Sequence, residues 1–154
     1  MTNDIFLRDV TTSDLSVLFE QQLDPEATAM AAFPSRDKDA FYAHSQKIMA
    51  DESVVFKAIV FDGQVAGSIV SWEMGGNREV GYWIGREFWG RGIATQALTE
   101  YIKIVTARPL FAHVAKHNIG SRRVLEKCGF IVIGEDSYTN PAGVLVDEFV
   151  LILD

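Results

Sequence analysis

A chain of 154 residues is long enough for one domain with its own core and short for two independent ones. Hydrophobic residues make up 48% and charged residues 23%, which excludes disorder as a global description. Lysine and arginine number 14 against 21 aspartates and glutamates, a formal net charge of −7. That balance argues against a surface built to neutralise nucleic-acid phosphates.

The single cysteine, Cys128, rules out an intramolecular disulfide and any zinc-ribbon spacing, and fits a reducing compartment. The N-terminal segment carries early acids and no apolar stretch of the kind a signal peptide needs. The longest apolar runs, 59–61 and 149–153, are far too short to cross a bilayer. The expectation is a cytoplasmic protein with no membrane or nucleic-acid partner.

Residues 5–10 read as a first strand and 11–23 as a helix, with Thr12 or Ser13 as its N-cap and Leu15, Leu18, Phe19 and Leu23 along one face. Asp24-Pro25 breaks it, and Pro25 starts a short helical piece to Met30. Pro34 and Ser35 interrupt the next pattern, so 31–37 reads as a loop, followed by a helix over 37–50. Residues 54–61 and 65–74 are strands joined by the hairpin signal Asp62-Gly63, and Gly75-Gly76-Asn77 turns the chain into a strand over 79–84. After Gly90 and Gly92, apolar Ile93, Ala94, Ala97, Leu98, Tyr101, Ile102 and Val105 recur at helical spacing until Pro109. Then come a strand over 110–114, a helix over 118–128 with Gly129 placed as its C′ residue, and last strands over 130–133 and 144–153. The order predicts a single α/β domain spanning 1–154. Its central sheet is mixed and mostly antiparallel, with about seven strands and about four flanking helices.

The most informative stretch is 86–95, REFWGRGIAT. It joins a strand to an amphipathic helix through a backbone stripped of side chains at Gly90 and Gly92. The first N–H groups of a helix have no intrahelical partner, and the dipole adds about half a positive charge there. Arg91 adds a full one. A phosphate is the natural guest of such a turn, although two glycines also simply make a tight turn. Neither GxxxxGKS/T nor GxGxxG occurs, which argues against a nucleotide triphosphatase and a Rossmann dehydrogenase.

YWIGREFWGRGIATQAL followed by HNIGSRRVLEKCGF resembles the GNAT family of N-acetyltransferases, and within it the branch of the ribosomal-protein alanine acetyltransferases. The family's acetyl-CoA motif, Gln/Arg-x-x-Gly-x-Gly/Ala, is met at Gly92 and Ala94, with Trp89 at the first position instead of Gln or Arg. The strong resemblance covers about a third of the chain, from 79 to 130. It implies that the pantetheine arm pairs with Tyr82, Trp83 and Ile84 where two parallel strands splay. The pyrophosphate would rest on Trp89, Gly90, Arg91, Gly92, Ile93, Ala94 and Thr95. Asn118 would contact the cofactor, with Ser121 and Arg122 beside it. Acetyl-CoA is then the acetyl donor, a primary amine the acceptor, and no metal is implied.

Acetyl transfer to an amine needs a base for the amine, stabilisation of the thioester oxygen and an acid for the thiolate. The family's usual acid, a tyrosine seven residues after the asparagine, is here Leu125. Ser121 is the next hydroxyl in reach, with Tyr138 as a second candidate; Ser121 as a plain first-turn residue is the alternative. Glu79 is the first candidate base, against a solvated strand-end glutamate, and Glu73 the second. Trp72, Trp83, Trp89 and Phe33 are candidates to line the acceptor pocket, the loop over 31–37 to shape it and His44 to border it. His113 and His117 are four apart, but 110–114 reads as strand, so no helix holds both, and no HExxH accompanies them; packing and surface roles are expected. Cys128 reads as a small core residue.

The acceptor is left open among a protein N-terminus, a small amine, an amino acid and an antibiotic. A non-catalytic acyl-CoA sensor of the same fold is the competing class, and a purely structural domain the third. The chain is expected to be a monomer or a homodimer, the latter through an edge formed by 144–153.

Overall fold

The computed structural model describes residues 4–154; residues 1–3 of the N-terminal segment lie outside them. The strands are β1 (Ile5–Asp9), β2 (Val55–Phe61), β3 (Gln64–Met74), β4 (Asn77–Ile84), β5 (Leu110–Ala115), β6 (Ile131–Thr139) and β7 (Leu145–Leu153). The helices are α1 (Leu15–Gln22), α2 (Pro25–Ala31), α3 (Lys38–Ala50), α4 (Ile93–Ile104) and α5 (Ile119–Lys127). Among the described residues there are five α-helices, counting the short piece after Pro25 that the sequence also marks. Asp24 caps it by accepting the Ala27 N–H. Among the described residues no helix is long and apolar enough to cross a membrane.

One seven-stranded sheet runs in the order β1-β2-β3-β4-β5-β7-β6. Its first four strands form an antiparallel meander. Asp62 and Gly63, at φ 51° and 76°, make the two-residue loop between β2 and β3, and Gly75 and Gly76 make the one between β3 and β4 at 60° and 84°. Positive φ at both central residues matches a hairpin loop to the right-handed twist of the strands. The first helical stretch opens one step earlier than Thr12: Thr11 is the N-cap of a 3₁₀ turn, Thr12–Asp14. Buried Asp14 accepts the Thr11 N–H at 2.8 Å and two bonds from Arg8 at 2.7 and 2.9 Å, tying β1 to that turn.

Strand alternation gives the sheet two covered faces. On one, α4 and α5 bury Leu98, Tyr101 and Leu125 against Ile69, Val80, Leu110 and Leu151. On the other, Leu15 and Leu18 of α1 and Phe41, Tyr42 and Met49 of α3 pack over Val10 and Ala58. Tyr101 satisfies its buried hydroxyl by donating to the Val55 carbonyl at 2.6 Å.

The C-terminal strands differ from the sequence expectation. β6 runs to Thr139 instead of stopping at 133, because its outer residues pair with β7 through Thr139↔Leu145. β7 lies between β5 and β6, so 144–153 is not a sheet edge; β1 and β6 are the edges. Its apolar run is apolar because it is interior. The edge strand β6 carries exposed Glu135, Asp136 and Ser137, a polar edge of the kind that resists strand addition.

Candidate active site

β4 and β5 are parallel neighbours, but they pair only through Arg78↔Leu110 and Glu79↔Phe111. Beyond Glu79 the strands part. β4 stays paired with β3 as far as Ile84, and β5 with β7 as far as Ala115. The gap is a cleft of about 680 Å³, within the range of small-molecule sites. Tyr82, Trp83 and Ile84 line it from β4, and Asn118, Ser121 and Arg123 from α5. Trp89, Gly90 and Gly92 line it from the turn, Ile93, Ala94 and Thr95 from the first turn of α4, and Ala27, Met30 and Ala31 from α2.

The glycine turn is built as the sequence requires. Gly90 and Gly92 have φ of 76° and 72°, and Gly92 is the N-cap of α4. The first bond of that helix is Gln96 N–H to the Gly92 carbonyl, so the N–H groups of Ile93, Ala94 and Thr95 lie ahead of its ladder. A Cβ at Gly90 or Gly92 would meet no atom of the protein, so the space in front of the turn is open to a ligand. Trp89 spends its indole N–H on the Ile84 carbonyl at 2.9 Å. The residue that departs from the acetyl-CoA motif therefore braces the turn against the end of β4.

At the apex stands Glu79, the last β4 residue paired before the splay. It is 3% exposed, not a solvated strand-end residue. Its Oε1 lies 2.8 Å from His113 Nε2. Burial pushes the Glu79 pKa up, and His113 beside it partly opposes the rise. Trp72 is its cross-strand partner on β3 and lies over Gly81, so an indole walls this side of the apex. Glu73, the second candidate, is half exposed and paired with Arg78 at 3.3 Å.

Ser121 sits in the first turn of α5, where Asn118 caps the helix by accepting the Ser121 N–H. Its Oγ is 2.7 Å from the Tyr82 hydroxyl. Tyr82 is half-buried and its pKa is pushed up to about 12, chiefly by desolvation. A tyrosine hydroxyl thus does enter the cleft, from β4 rather than from α5. Leu125, at the family's tyrosine position, is core.

Other candidates lie elsewhere. The Arg91 guanidinium stacks over Phe61, and Arg122 covers Phe149 and reaches Glu126, so neither lines the cleft. Arg123 and Lys127 do line it. One residue along a helix is a 100° turn, which motif matching does not resolve. His117 is at the cleft, its Nε2 donating to the Ala29 carbonyl at 2.9 Å, while His113 belongs to the apex. Trp83 and Trp89 line the cleft; Phe33 and His44 do not. Tyr138 lies near Glu148 and Asp136 instead of the cleft wall. Cys128 packs partly buried beside the core.

Residues 4–131 match the family described as Acetyltransferase (GNAT) domain. No curated protein matches at the sequence level. Among solved structures, the fold is similar to a GNAT-family acetyltransferase from Bacillus anthracis (18% identity, 97% of this chain and 93% of that one, TM-score 0.81). It is similar to spermidine N-acetyltransferase from Vibrio cholerae, solved with CoA and spermine (17%, 97% and 94%, 0.83). A GNAT-family acetyltransferase from Streptococcus pneumoniae is also similar (17%, 97% and 99%, 0.72). The family match runs through both walls of the splayed cleft and the glycine turn at its mouth. The protein accordingly belongs to the GNAT acetyltransferases, enzymes that move an acetyl group from acetyl-CoA to an amine.

Proposed function

We propose that acetyl-CoA enters from the α4–α5 side with its pyrophosphate on the N–H groups of the turn 89–95, and that an amine meets the thioester at Glu79. The observation that carries this reading is the splay of β4 from β5 immediately after a buried carboxylate. The unpaired edge of β4 beyond Glu79 offers main-chain groups to the pantetheine amides. Glu79 accepts the proton of the ammonium group. The amine nitrogen attacks the thioester carbon, the C–N bond forms and the C–S bond breaks. The Tyr82–Ser121 hydroxyl pair supplies the proton that the thiolate takes, and the second proton that the nitrogen sheds as the amide forms returns through water to that pair. Arg123 and Lys127 at the cleft wall replace Arg91 and Arg122 as the cations nearest the phosphates.

The acceptor side is acidic: Glu79, Glu148 and Asp136 gather around one histidine. That favours a small cationic primary amine. The resemblance to the ribosomal-protein alanine branch makes a protein N-terminus the second acceptor class. Thiol release from acetyl-CoA is expected with a panel of small diamines and polyamines, and to a lesser degree with an N-terminal alanine peptide. Tight acetyl-CoA binding without release from any amine would leave the acyl-CoA sensor instead.

Two variants test the donor half. Gly92→Val places a β-branched residue in the left-handed region and a side chain where the phosphates would sit. Calorimetry on the folded variant is expected to show coenzyme A binding weakened at least about tenfold, or about 1.4 kcal/mol. An unchanged Kd removes the turn as the phosphate site. Ser121→Ala is expected to lower kcat by about 10²-fold with acetyl-CoA affinity unmoved, and Tyr82→Phe to do the same, since each breaks one proton pair. Less than about a threefold loss in both means that the thiolate leaves unaided.

A further inference from the structure

His113 was expected to be a packing or surface residue, yet its ring is held between carboxylates on both sides. Leu110, Ala112 and Val114 of β5 face the α4–α5 core, and so do Val80 and Tyr82 of β4. His113 and Glu79 therefore project from the opposite face, where Glu148 of β7 and Asp136 of β6 also lie. The four side chains form a row across neighbouring strands, in the sheet order β4-β5-β7-β6.

Its geometry is tight. His113 Nε2 is 2.8 Å from Glu79 Oε1, and Nδ1 is 2.8 Å from Glu148 Oε1 and 3.7 Å from Asp136 Oδ2. An ionised carboxylate only accepts hydrogen bonds, so with Glu79 and Glu148 both ionised the two contacts call for a proton on each ring nitrogen, which makes the ring an imidazolium. Asp136 and Glu148 stand directly opposite one another across β6 and β7. Two like charges in that position repel, and a cation between them and Glu79 relieves the repulsion. Of the four side chains Asp136 is the most exposed, at 46%, and Glu79 the least, at 4%, with His113 at 29% and Glu148 at 11%. The inner contact is the least screened by water.

We propose that His113 is a positioning residue for acetyl transfer: an imidazolium, clamped by Glu148 and Asp136, that holds the Glu79 carboxylate ionised with Oε2 turned to the amine. The proposal rests on Glu79 being the base. The groups around the ring support a charged state. Hydrogen bonding to Glu148, with the charges of Glu79 and Asp136, raises the His113 pKa against the effect of burial. Tyr138 of β6 faces Glu148 and Asp136 from the same side. On α2, which packs against β5, the one ionisable side chain is Glu26, and Arg86 takes it at 2.6 Å.

The charge has a consequence with a definite sign. A neighbouring cation keeps a carboxylate ionised to lower pH, typically by about 1–3 units at this range. Without it, buried Glu79 takes up its proton at higher pH and the base is lost near neutrality. His113→Gln keeps a hydrogen-bonding side chain and loses the charge. The acid limb of its kcat/KM profile for the amine is expected to move up by about 1–2 units relative to the parent, with activity recovering at high pH. The same amine is used throughout, so its own ionisation cancels in the comparison. His113→Lys restores a cation and is expected to return the limb toward the parent position, which a packing role alone would not do. Nuclear magnetic resonance of the unmodified protein supplies a reading free of folding defects: the His113 ring is expected to titrate above the ordinary histidine value of about 6.5.

A His113→Gln profile that overlays the parent while Glu79→Gln is impaired overturns the positioning role and leaves the base intact. A ring that titrates at or below the ordinary value overturns it as well. If Glu79→Gln is itself silent, the base reading fails, and the role of His113 falls with it.

Discussion

Glu79→Gln is expected to lower kcat/KM for the amine by about 10²–10⁴-fold near neutral pH. An alkylammonium ion is not a nucleophile, and the carboxylate at the apex is the group proposed to take its proton. Glutamine keeps size and shape and loses both the base and the charge that draws a cationic acceptor in. The pH dependence has a fixed sign. Burial raises the Glu79 pKa, and the working form is the carboxylate, so activity that depends on Glu79 is lost as pH falls through that raised value. The variant should lack this limb and recover part of its deficit at high pH, where free amine is abundant. Acetyl-CoA affinity should hardly change, because the proposed phosphate site is the turn before α4. If the profile of Glu79→Gln overlays that of the parent, the next base to test is a water held by main-chain carbonyls. Glu73 is less suited, being half exposed and already paired with Arg78.

The second large effect falls on stability. Gly67 lies opposite Ile84 at the far end of the β3–β4 ladder, where β4 forms the cleft wall. A Cβ built there would come 2.0 Å from the Trp83 carbonyl oxygen and 3.0 Å from the Ile84 Cα. The obstacle is backbone, so no side chain can swing aside. Overpacking in a core typically costs about 1–3 kcal/mol and at times more. Gly67→Ala, forcing two hydrogen-bonded strands apart, is expected at or above the top of that range. For a domain of this size about 3 kcal/mol corresponds to a Tm lower by about 6–12 °C, which calorimetry would detect. The displaced strand carries Tyr82, Trp83 and Ile84, so coenzyme A binding by the remaining folded protein should weaken too. A Tm within about 2 °C of the parent would mean that β4 can shift without loss. The contrast with Gly92 is informative: there a Cβ meets nothing, and the cost comes from the left-handed backbone and from the ligand's own space.

Much of the scaffold was readable along the chain because the physics that makes it is local. Asp62-Gly63 and Gly75-Gly76 turn where positive φ is needed, and Gly129, at φ 98°, ends α5 for the same reason. Asn118 caps α5 through its own side chain, three residues from the N–H it binds. The apolar period of 3.6 placed Ile93, Ala97, Leu98 and Tyr101 on the buried face of α4. The glycine turn with its unpaired helix N–H groups is one continuous segment, so its geometry follows from residue types and spacing alone.

What the sequence could not decide concerns neighbours that meet only through the sheet. Glu79 was readable as a candidate base, but not as buried, since burial depends on Trp72 across one strand pair and His113 across another. His113 looked like a strand residue of no consequence; it reaches Glu148, 35 residues on, only because β7 inserts between β5 and β6. The same insertion turned the apolar run 145–153 from an apparent edge into an interior strand. The Tyr82 hydroxyl found Ser121 across 39 residues, where the sequence offered Leu125 at the usual position. A strand determines by itself which residues share a face, because its period is two. Which strand lies beside it is set by the burial and pairing of the whole sheet, and in this protein that choice assembles the charged row around Glu79.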